Sequence, residues 1–288
     1  MIAEGRRRLP GIDSKPMNAA NVLSSRVALV GPGRAGRAFA RSWTGAGGQV
    51  QTTIGREPRQ SAYPPCDFVV LAVPDDVVRP VAAELAPRLP CRVALHLSGA
   101  FGSEALAPFA GAGAETGSLH PVRPFTGEQD EDWRGVFVAV EGEPGAVALA
   151  ESVATAVGAQ PYRLAAGNRA LYHAAATLAA GGAAAVVSIA VRGWVAAGIP
   201  EGVARKTLAG LAARATAAVG ARTFPEAFTG AVARRDAGTV RAHVAALAAD
   251  SRSLALYRAL AEEILLRTDG AGREAEIRAL LDAPSSPR

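Results

Sequence analysis

A strand-like run followed by three spaced glycines constrains the fold of this chain more than any other feature. The uncharged stretch 27–30 leads into the pattern G-x-G-x-x-G, and an Ala-rich helical pattern follows at once. In a dinucleotide-binding fold these glycines make the tight turn, admit the pyrophosphate and let the helix pack closely on the strand. The pyrophosphate lies over the N–H groups at the helix N-terminus. The predicted cofactor-binding residues here are Gly31, Gly33, Arg34, Ala35 and Gly36.

The end of the second predicted strand, 49–54, bears on which dinucleotide binds. An NAD-selective site usually has Asp or Glu there, whereas this chain reads Gly55-Arg56, with Arg59 shortly after. A guanidinium pairs with a 2′-phosphate, which a carboxylate would repel. Arg56 is alternatively a solvated loop arginine. Its position, about 20 residues past the glycines, favours NADP (NADPH) over NAD.

Two more buried strands are predicted at 68–73 and 92–97, each ending in a turn signal. Continuous apolar runs of this kind are typical of a parallel sheet that is covered on both faces. Ligands of doubly wound sheets bind outside the carboxyl ends of the strands. Four residues at these ends are therefore predicted to face the nicotinamide half of the cofactor, with an ordinary turn as the alternative for each: Val73, Pro74, Ser98 and Gly99.

Composition narrows the class of protein. With 288 residues, 49% hydrophobic and 20% charged, the chain is globular. The net charge of +5 comes without a basic run interleaved with aromatics, which argues against nucleic-acid binding. Cys66 and Cys91 lack metal-ligand spacing, so we predict reduced buried thiols, no metal site and a cytoplasmic location.

Neither a signal peptide nor a membrane span is predicted. No apolar segment follows the basic residues 6–8. The run 170–191 has no Asp, Glu, Lys or Arg and is long enough to span a bilayer. Because it consists mostly of Ala and Gly, we interpret it as a helix buried inside a soluble protein.

The pattern divides the chain into three parts. Residues 1–24 are predicted to form a disordered leader, 25–165 an α/β Rossmann domain with a doubly wound parallel sheet, and 166–284 an all-α domain. The segment 117–125 is predicted to be a rigid loop, because prolines lie on either side of Arg123, with His120 upstream. Such a loop suits a binding wall or, alternatively, a structural turn.

Six motifs in this order resemble a bacterial family of Rossmann-like proteins. They are VALVGPGRAGRAFA, FVVLAVPDD, HLSGAFGSEAL, GSLHPVRPF, NRALYHAAA and FTGAVARRD. Members carry a helical C-terminal domain of unassigned function and are described as similar to deazaflavin-dependent NADP oxidoreductases. The wider group includes 6-phosphogluconate dehydrogenase-like, ketopantoate reductase-like and pyrroline-5-carboxylate reductase-like enzymes. The resemblance implies an NADP-binding domain, a helical domain that mediates dimerisation and a substrate cleft between them.

The resemblance also indicates where substrate would meet the chain. Related dehydrogenases often use a Lys and an Asn on the helix that here carries Arg169 and Gly181. Because a guanidinium stays charged, Arg169 is a poor proton donor. The candidate proton donors are therefore His173, Tyr172 and His120. Arg123 or Arg169 would hold a substrate carboxylate, and Thr229 and Arg234 would close the cleft from the other side.

These features favour an NADP-dependent oxidoreductase that reduces a C=O or C=N bond in a small, anionic metabolite. The partners expected are that small molecule and a second copy of the chain bound through the helical domain. Two alternatives stay open because Lys and Asn are replaced: a catalytically silent NADP-binding sensor or scaffold, and a non-redox enzyme on the same fold.

Overall fold

The computed structural model describes residues 21–56, 60–128, 131–165, 167–268 and 273–282. Contacts along the chain group it into two compact units, one ending at Leu178 and the other beginning at Ala179. The first turns of the helix that begins at Arg169 thus belong with the first unit. The predicted boundary at 165/166 lies 13 residues earlier than this division.

The first unit is built on a seven-stranded sheet in the order β2-β1-β3-β4-β5-β6-β7. All neighbouring strands are parallel except β5 and β6, which run antiparallel. This confirms the predicted Rossmann-like α/β class, with one reversal near the edge. The strands are β1 Val27–Val30, β2 Val50–Ile54, β3 Cys66–Leu71, β4 Cys91–His96, β5 Glu115–Pro121, β6 Phe137–Gly142 and β7 Gln160–Arg163.

Helices cover both faces of this sheet. They are α1 Arg34–Gly45, α2 Asp75–Leu85, α3 Ala107–Gly111, α4 Pro144–Ala156 and α5 Arg169–Thr177. Alternate residues of each central strand enter two separate apolar cores, because successive side chains of a strand point to opposite faces. In β3, Phe68 belongs to the core that contains α1 and α4, and Val69 to the core that contains α2 and α3.

The two cysteines occupy the first positions of β3 and β4. Cys66 and Cys91 are register partners, both are buried, and neither forms a disulfide. This agrees with the prediction of buried reduced thiols at strand starts.

Two predictions for the first unit need correction. The predicted leader lies outside the described residues as far as residue 20, but Val22–Ser24 forms a 3-10 turn whose Val22 side chain is buried in the core. The predicted rigid loop 117–125 is wrong over its first half, where β5 continues to Pro121. Pro121 ends this strand, and its ring is accommodated because the ladder continues only on the β6 side.

The second unit is helical, as predicted. Its helices are α6 Ala183–Ala196, α7 Glu201–Ala221, α8 Phe224–Ala227, α9 Ala237–Leu247, α10 Ser251–Arg267 and α11 Glu274–Asp282. A π-helical turn, Leu178–Gly182, precedes α6. The core of this unit brings α9, α10 and α11 together around Val240, Leu265 and Ile277.

The segment between α8 and α9 is not helical, although the sequence predicts an all-α domain here. The chain turns at Gly230, whose φ is 99°, and again at Arg235, whose φ is 55°. The Arg235 guanidinium is buried and pairs with Glu274 at 3.0 Å. This ion pair, with a hydrogen bond of 2.6 Å to the Thr268 hydroxyl, offsets the strain of a left-handed non-glycine residue.

The apolar helical run Arg169–Ala196 is not buried in the single chain. It is long and apolar enough to cross a membrane by length and composition alone, with a mean hydropathy of 1.9, yet only 6% of that window is buried. The prediction of a helix buried within the chain is therefore wrong. Its small residues leave room for close packing against another surface.

Candidate functional site

The glycine loop after β1 has the geometry that the fingerprint predicts. Gly31 has φ 89° and a Cβ atom there would lie 2.5 Å from the Ala72 carbonyl oxygen. A Cβ atom on Gly36 would overlap the Gly31 carbonyl oxygen. A Cβ atom on Gly33 would meet no heavy atom of the described residues within 4 Å. Two glycines thus let backbone segments meet, while the third leaves open space beside the chain.

This open space lies at the start of α1. Gly33 is the N-cap and has no side chain to accept a hydrogen bond from the first turn. The first N–H groups of a helix have no partner within the helix and carry its positive dipole end. The loop therefore fits the pyrophosphate of a dinucleotide, which Arg34, Ala35 and Gly36 would hold through their N–H groups.

Residues predicted around this loop fall at the expected strand ends. Val73 follows β3, and its Cγ1 atom would lie 2.8 Å from a Cβ atom on Gly31. Pro74 is the N-cap of α2. Arg56 is exposed just after β2, while Arg59 lies outside the described residues. The order β2-β1-β3 makes the carboxyl end of β1 the topological switch point, where ligands of such sheets bind.

Near the carboxyl end of the sheet, paired residues of six neighbouring strands form a line across it. Its members, in spatial order, are Ile54, Val30, Leu71, His96, Ser118 and Glu141. The first three are apolar and the last three are polar. His120 lies two residues beyond Ser118, so it projects from the same face of the sheet. The polar half of the line forms the floor of the candidate site.

Tyr172 and His120 form the most direct contact between α5 and the sheet. The Tyr172 hydroxyl and Nδ1 of His120 share a hydrogen bond of 2.6 Å. Burial, together with the Arg169 and His173 charges, lowers the pKa of His120 to about 4. Burial raises the pKa of Tyr172 to about 12, although Arg169 opposes the shift. The pair is therefore a neutral phenol beside a neutral imidazole at neutral pH.

Gly99 separates the two imidazoles of the site. The rings of His120 and His173 lie 6.3 Å apart, nearly perpendicular. A Cβ atom on Gly99 would lie 2.7 Å from Nε2 of His120 and 2.8 Å from Cδ2 of His173. Any side chain at this position would displace one of the rings. The predicted residues His120, Tyr172, His173 and Gly99 thus come together.

His96 shapes the loop that carries Gly99. The Ser98 N–H donates to Nδ1 of His96 at 3.2 Å, so the ring proton is on Nε2, which donates to the Gly102 carbonyl at 2.9 Å. Burial lowers the pKa of His96 to about 4, and the Arg169 charge adds to this effect. The Ser98 hydroxyl accepts from the N–H groups of Ala100 and Phe101. Ser98 therefore builds the turn, which was one of its two predicted roles.

Arg169 is buried against the edge of the sheet. Its Nε atom donates to Glu141 Oε2 at 2.9 Å, its Nη2 atom forms an ion pair with the same oxygen at 2.8 Å, and Nη2 donates to the Ser118 hydroxyl. The Arg169 charge is thus already matched by Glu141. Its Nη1 atom is buried and has no hydrogen-bond partner among the described residues. For the predicted role as an anchor of a substrate carboxylate, Nη1 is thus the nitrogen of Arg169 that is not engaged by the protein.

The remaining predicted substrate residues are Arg123, Thr229 and Arg234, and all three are exposed. Arg123 is exposed after β5, and its Nη1 donates to the Asp132 carbonyl at 3.0 Å, within the segment that follows β5. Thr229 and Arg234 are exposed residues of the second unit, between α8 and α9. No group of three or more metal-ligating side chains occurs among the described residues.

Sequence reasoning missed Glu141, Ser118 and the role of His96. Glu141 looks like a surface residue at the end of a strand, and Ser118 is one of many small polar residues. The available signal was an acidic residue directly after an apolar run, together with an arginine at the start of an apolar helix, which needs a partner if it is buried. Their pairing depends on β5 and β6 being antiparallel, which local sequence does not show.

Two family models match parts of the chain. Residues 52–121 match a Rossmann-like domain, and residues 136–264 match a domain of unknown function, DUF2520. The chain thus combines a Rossmann-like domain with a DUF2520 domain. His96 and His120 fall in the first match, and Glu141, Arg169 and Tyr172 in the second. No curated protein matches the chain.

Solved structures share the fold across most of both chains. A Bacteroides fragilis protein assigned as an NADP oxidoreductase has a TM-score of 0.69 at 16% identity, covering 85% of this chain and 100% of its own. A Thermotoga maritima protein has 0.67 at 18%, covering 87% and 99%. A reductive aminase from Aspergillus terreus, in complex with NADPH and ethyl levulinate, has 0.58 at 16%, covering 90% and 98%. At such identities the likeness shows the fold alone.

Proposed function

We propose that this chain is an NADP-dependent oxidoreductase that reduces a C=O or C=N bond in a small metabolite. One observation carries the proposal: the Tyr172–His120 hydrogen bond lies at the carboxyl edge of the sheet that also bears the glycine loop. A dinucleotide held by that loop extends along the same edge. The NADP-related names of several proteins with this fold support the choice of reaction class.

The glycine loop and Arg56 would hold NADPH, the loop through N–H groups on the pyrophosphate and Arg56 on the 2′-phosphate. When bound, NADPH supplies the hydride. The chain itself must then supply one proton to the oxygen or nitrogen of the substrate. Tyr172 is suited to this because its hydroxyl stays protonated through the physiological pH range.

His120 replaces the proton that Tyr172 gives away. We assign the ring proton to Nδ1, so that it donates to the Tyr172 oxygen and leaves the phenol proton to point at the substrate. As the phenol proton moves to the substrate, the Nδ1 proton moves to the Tyr172 oxygen. Nε2, next to Gly99, takes up a solvent proton at the same time, so the imidazole stays neutral, and transfer of that proton through solvent from Nε2 to Nδ1 restores the starting tautomer. The cycle consumes one solvent proton for each hydride transferred.

The charge of the substrate is a separate question. Both arginines that were predicted to hold a carboxylate have protein partners, Arg169 on Glu141 and Arg123 on the Asp132 carbonyl. Arg169 Nη1 has no hydrogen-bond partner among the described residues, but it is buried, whereas Arg123 is exposed. We therefore propose a substrate that presents a carbonyl or imine to Tyr172, with any carboxylate recognised through Arg123.

A homodimer is part of the same proposal. In α6, all of which the structure describes, every residue is at least partly exposed, and large apolar side chains of α6 and α7 face solvent. A second copy of this chain is the partner that would cover them. The soluble, cytoplasmic location predicted from the sequence is retained on this basis.

The deciding experiment is a side-by-side titration of the purified chain with NADPH and NADH, repeated for Arg56→Ala and for the control Arg88→Ala in the turn after α2. We expect NADPH to bind more tightly and only Arg56→Ala to remove this preference. NADPH oxidation is then followed with keto acids, the matching neutral ketones and cyclic imines. Equal or absent binding would overturn the cofactor assignment. NADPH binding without turnover of any carbonyl or imine would favour the alternative function, a catalytically silent NADP-binding sensor or scaffold.

A further inference from the structure

We propose that Arg169 is a positioning residue that acts through His120: held by strands β5 and β6, it fixes the first turn of α5 and with it the Tyr172–His120 pair, and it places a permanent positive charge near the imidazole. This inference deepens the proposed function and gives Arg169 a role distinct from substrate binding or proton donation. It also explains why arginine is suited to a helix position where related dehydrogenases often use lysine.

The contacts of Arg169 fix its guanidinium on two strands at once. Glu141 and Ser118 are direct cross-strand partners on β6 and β5. The guanidinium bridges them, with one hydrogen bond and an ion-pair contact to Oε2 of Glu141 and one hydrogen bond to Ser118. Ser118 is fully buried and the Arg169 side chain is 8% exposed. A buried guanidinium held by both partners has one orientation.

The same contacts fix the first turn of α5. Arg169 is the first residue of this helix, and Tyr172 follows one turn later on the same face. The Arg169 guanidinium carbon lies 5.9 Å from the centre of the Tyr172 ring, over its face. Clamping Arg169 to the sheet therefore sets the rotation of α5, and with it the position of the Tyr172 hydroxyl on His120.

Several groups surround His120 and decide its protonation. Arg169, Tyr172 and His173 face it from α5, His96 from β4 and Asp75 from the start of α2. Burial is the largest effect that lowers the pKa of His120, the Arg169 charge is the next, and Asp75 opposes both. A lysine in this place would keep its charge only while it stays paired with Glu141, whereas a guanidinium is charged at any physiological pH.

The test is a pH titration of the four histidines by NMR, on the protein without cofactor or substrate, with resonances assigned from single His→Gln variants. In the wild type we expect His120 to titrate well below pH 6. Arg169→Gln should raise the pKa of His120 by about one unit or more. Arg169→Lys should restore most of the wild-type value while its ammonium stays paired with Glu141.

Ser118→Ala is the matched control for a purely structural role. It removes the hydrogen bond between Arg169 and Ser118 without changing any charge. It should therefore lower the melting temperature and leave the His120 pKa unchanged. If Arg169→Gln does not fold, Glu141→Gln serves instead. That variant keeps the cation and removes its carboxylate partner, so His120 should stay neutral at pH 6.

Two results would overturn the inference. One is a wild-type His120 that titrates near 6.5, and the other is a His120 pKa that does not move in Arg169→Gln. Because this measurement uses neither NADPH nor substrate, it is independent of the proposed function. A chain that fails to bind NADPH but shows these shifts would disprove the oxidoreductase and leave the effect of Arg169 on His120 intact.

Discussion

The hydroxyl of Tyr172 lies 2.6 Å from Nδ1 of His120, a residue 52 positions earlier in the chain. One residue comes from the first helical turn after the sheet and the other from the end of β5. Neither is charged at neutral pH, so the contact depends on geometry and not on ionic attraction. The first prediction follows from it.

Tyr172→Phe removes the hydroxyl and keeps the ring. If Tyr172 delivers the proton, kcat should fall by about 10²- to 10⁴-fold while the Kd for NADPH is unchanged. His120→Asn should have an effect of similar size, and the double variant should be no worse than either single one, because the two residues act as a unit. Tyr162→Phe, on the exposed edge strand β7, is the control. If the losses of kcat in the two single variants add up in the double variant, Tyr172 and His120 do not act as a unit.

Gly33 and Gly36 are three positions apart, yet alanine should affect them differently. Gly36→Ala should destabilise the fold by about 1–3 kcal/mol, because its Cβ atom overlaps the Gly31 carbonyl. Gly33→Ala should change stability by only a few tenths of a kcal/mol. It should nevertheless weaken NADPH binding by about tenfold or more, since the methyl group fills the pyrophosphate space.

Thermal melts and NADPH titrations of the two glycine variants separate these effects. Gly45→Ala, at the far end of α1, is the control and should bind NADPH normally. A Gly33→Ala protein that binds NADPH as the wild type does would mean that the loop has only a structural role.

Stability should fall between pH 6.5 and pH 4. The pKa of His96 is about 4 in the folded chain and about 6.5 when unfolded, so the unfolded state binds more protons in this window. The stabilising contribution is complete above pH 6.5 and is lost as the pH drops towards 4. For the buried His96 the loss is on the order of 3 kcal/mol.

Urea denaturation at several pH values measures this loss. His96→Gln should make the pH dependence shallower without removing it, because the pKa of His120 is also about 4, and it should lower the stability at pH 7. His243→Gln in the second unit should leave it in place, because His96 and His120 remain. An equally steep dependence in His96→Gln would show that other groups cause it.

The exposed apolar residues of α6 and α7 predict the oligomeric state. Light scattering should give the mass of a dimer, twice 29.4 kDa. Leu211→Glu, at a position 53% exposed in the single chain, should weaken the dimer by about tenfold or more. Leu266→Glu on α10 is the control for an exposed leucine elsewhere in the second unit. A wild-type monomer at working concentrations would contradict the proposed dimer.

The elements that short sequence patterns determine could be predicted from the sequence. The glycine loop, the buried strands β3 and β4 and the helical nature of the second half follow from short patterns, and the structure confirms them. Strand β5 was misread because its sequence, with glycine, serine and proline, resembles a turn. It forms a strand because β4 and β6 provide partners on both sides.

The candidate site was predictable only in part, for a related reason. His120, Tyr172 and His173 stood out as titratable residues in distinctive motifs. The Arg169–Glu141 pair joins residues 28 positions apart across the one antiparallel step of the sheet. No local pattern contains that step, so Arg169 looked free to bind substrate.

The reversal at β6 also determines how α5 meets the sheet. Strands β6 and β7 run against the other strands, and β7 ends at Arg163, which is level with Val140 and with Leu119, one residue beyond Ser118. The first turn of α5 then leads from the Arg169 contact at Ser118 to the Tyr172 contact at His120, in the direction of β5. The three residues from Arg169 to Tyr172 climb about 4.5 Å, and two strand residues span about 6.7 Å, a difference that the long side chains can bridge. A single residue inserted between Arg169 and Tyr172 would turn the helix by about 100°, and the two contacts would no longer be made together.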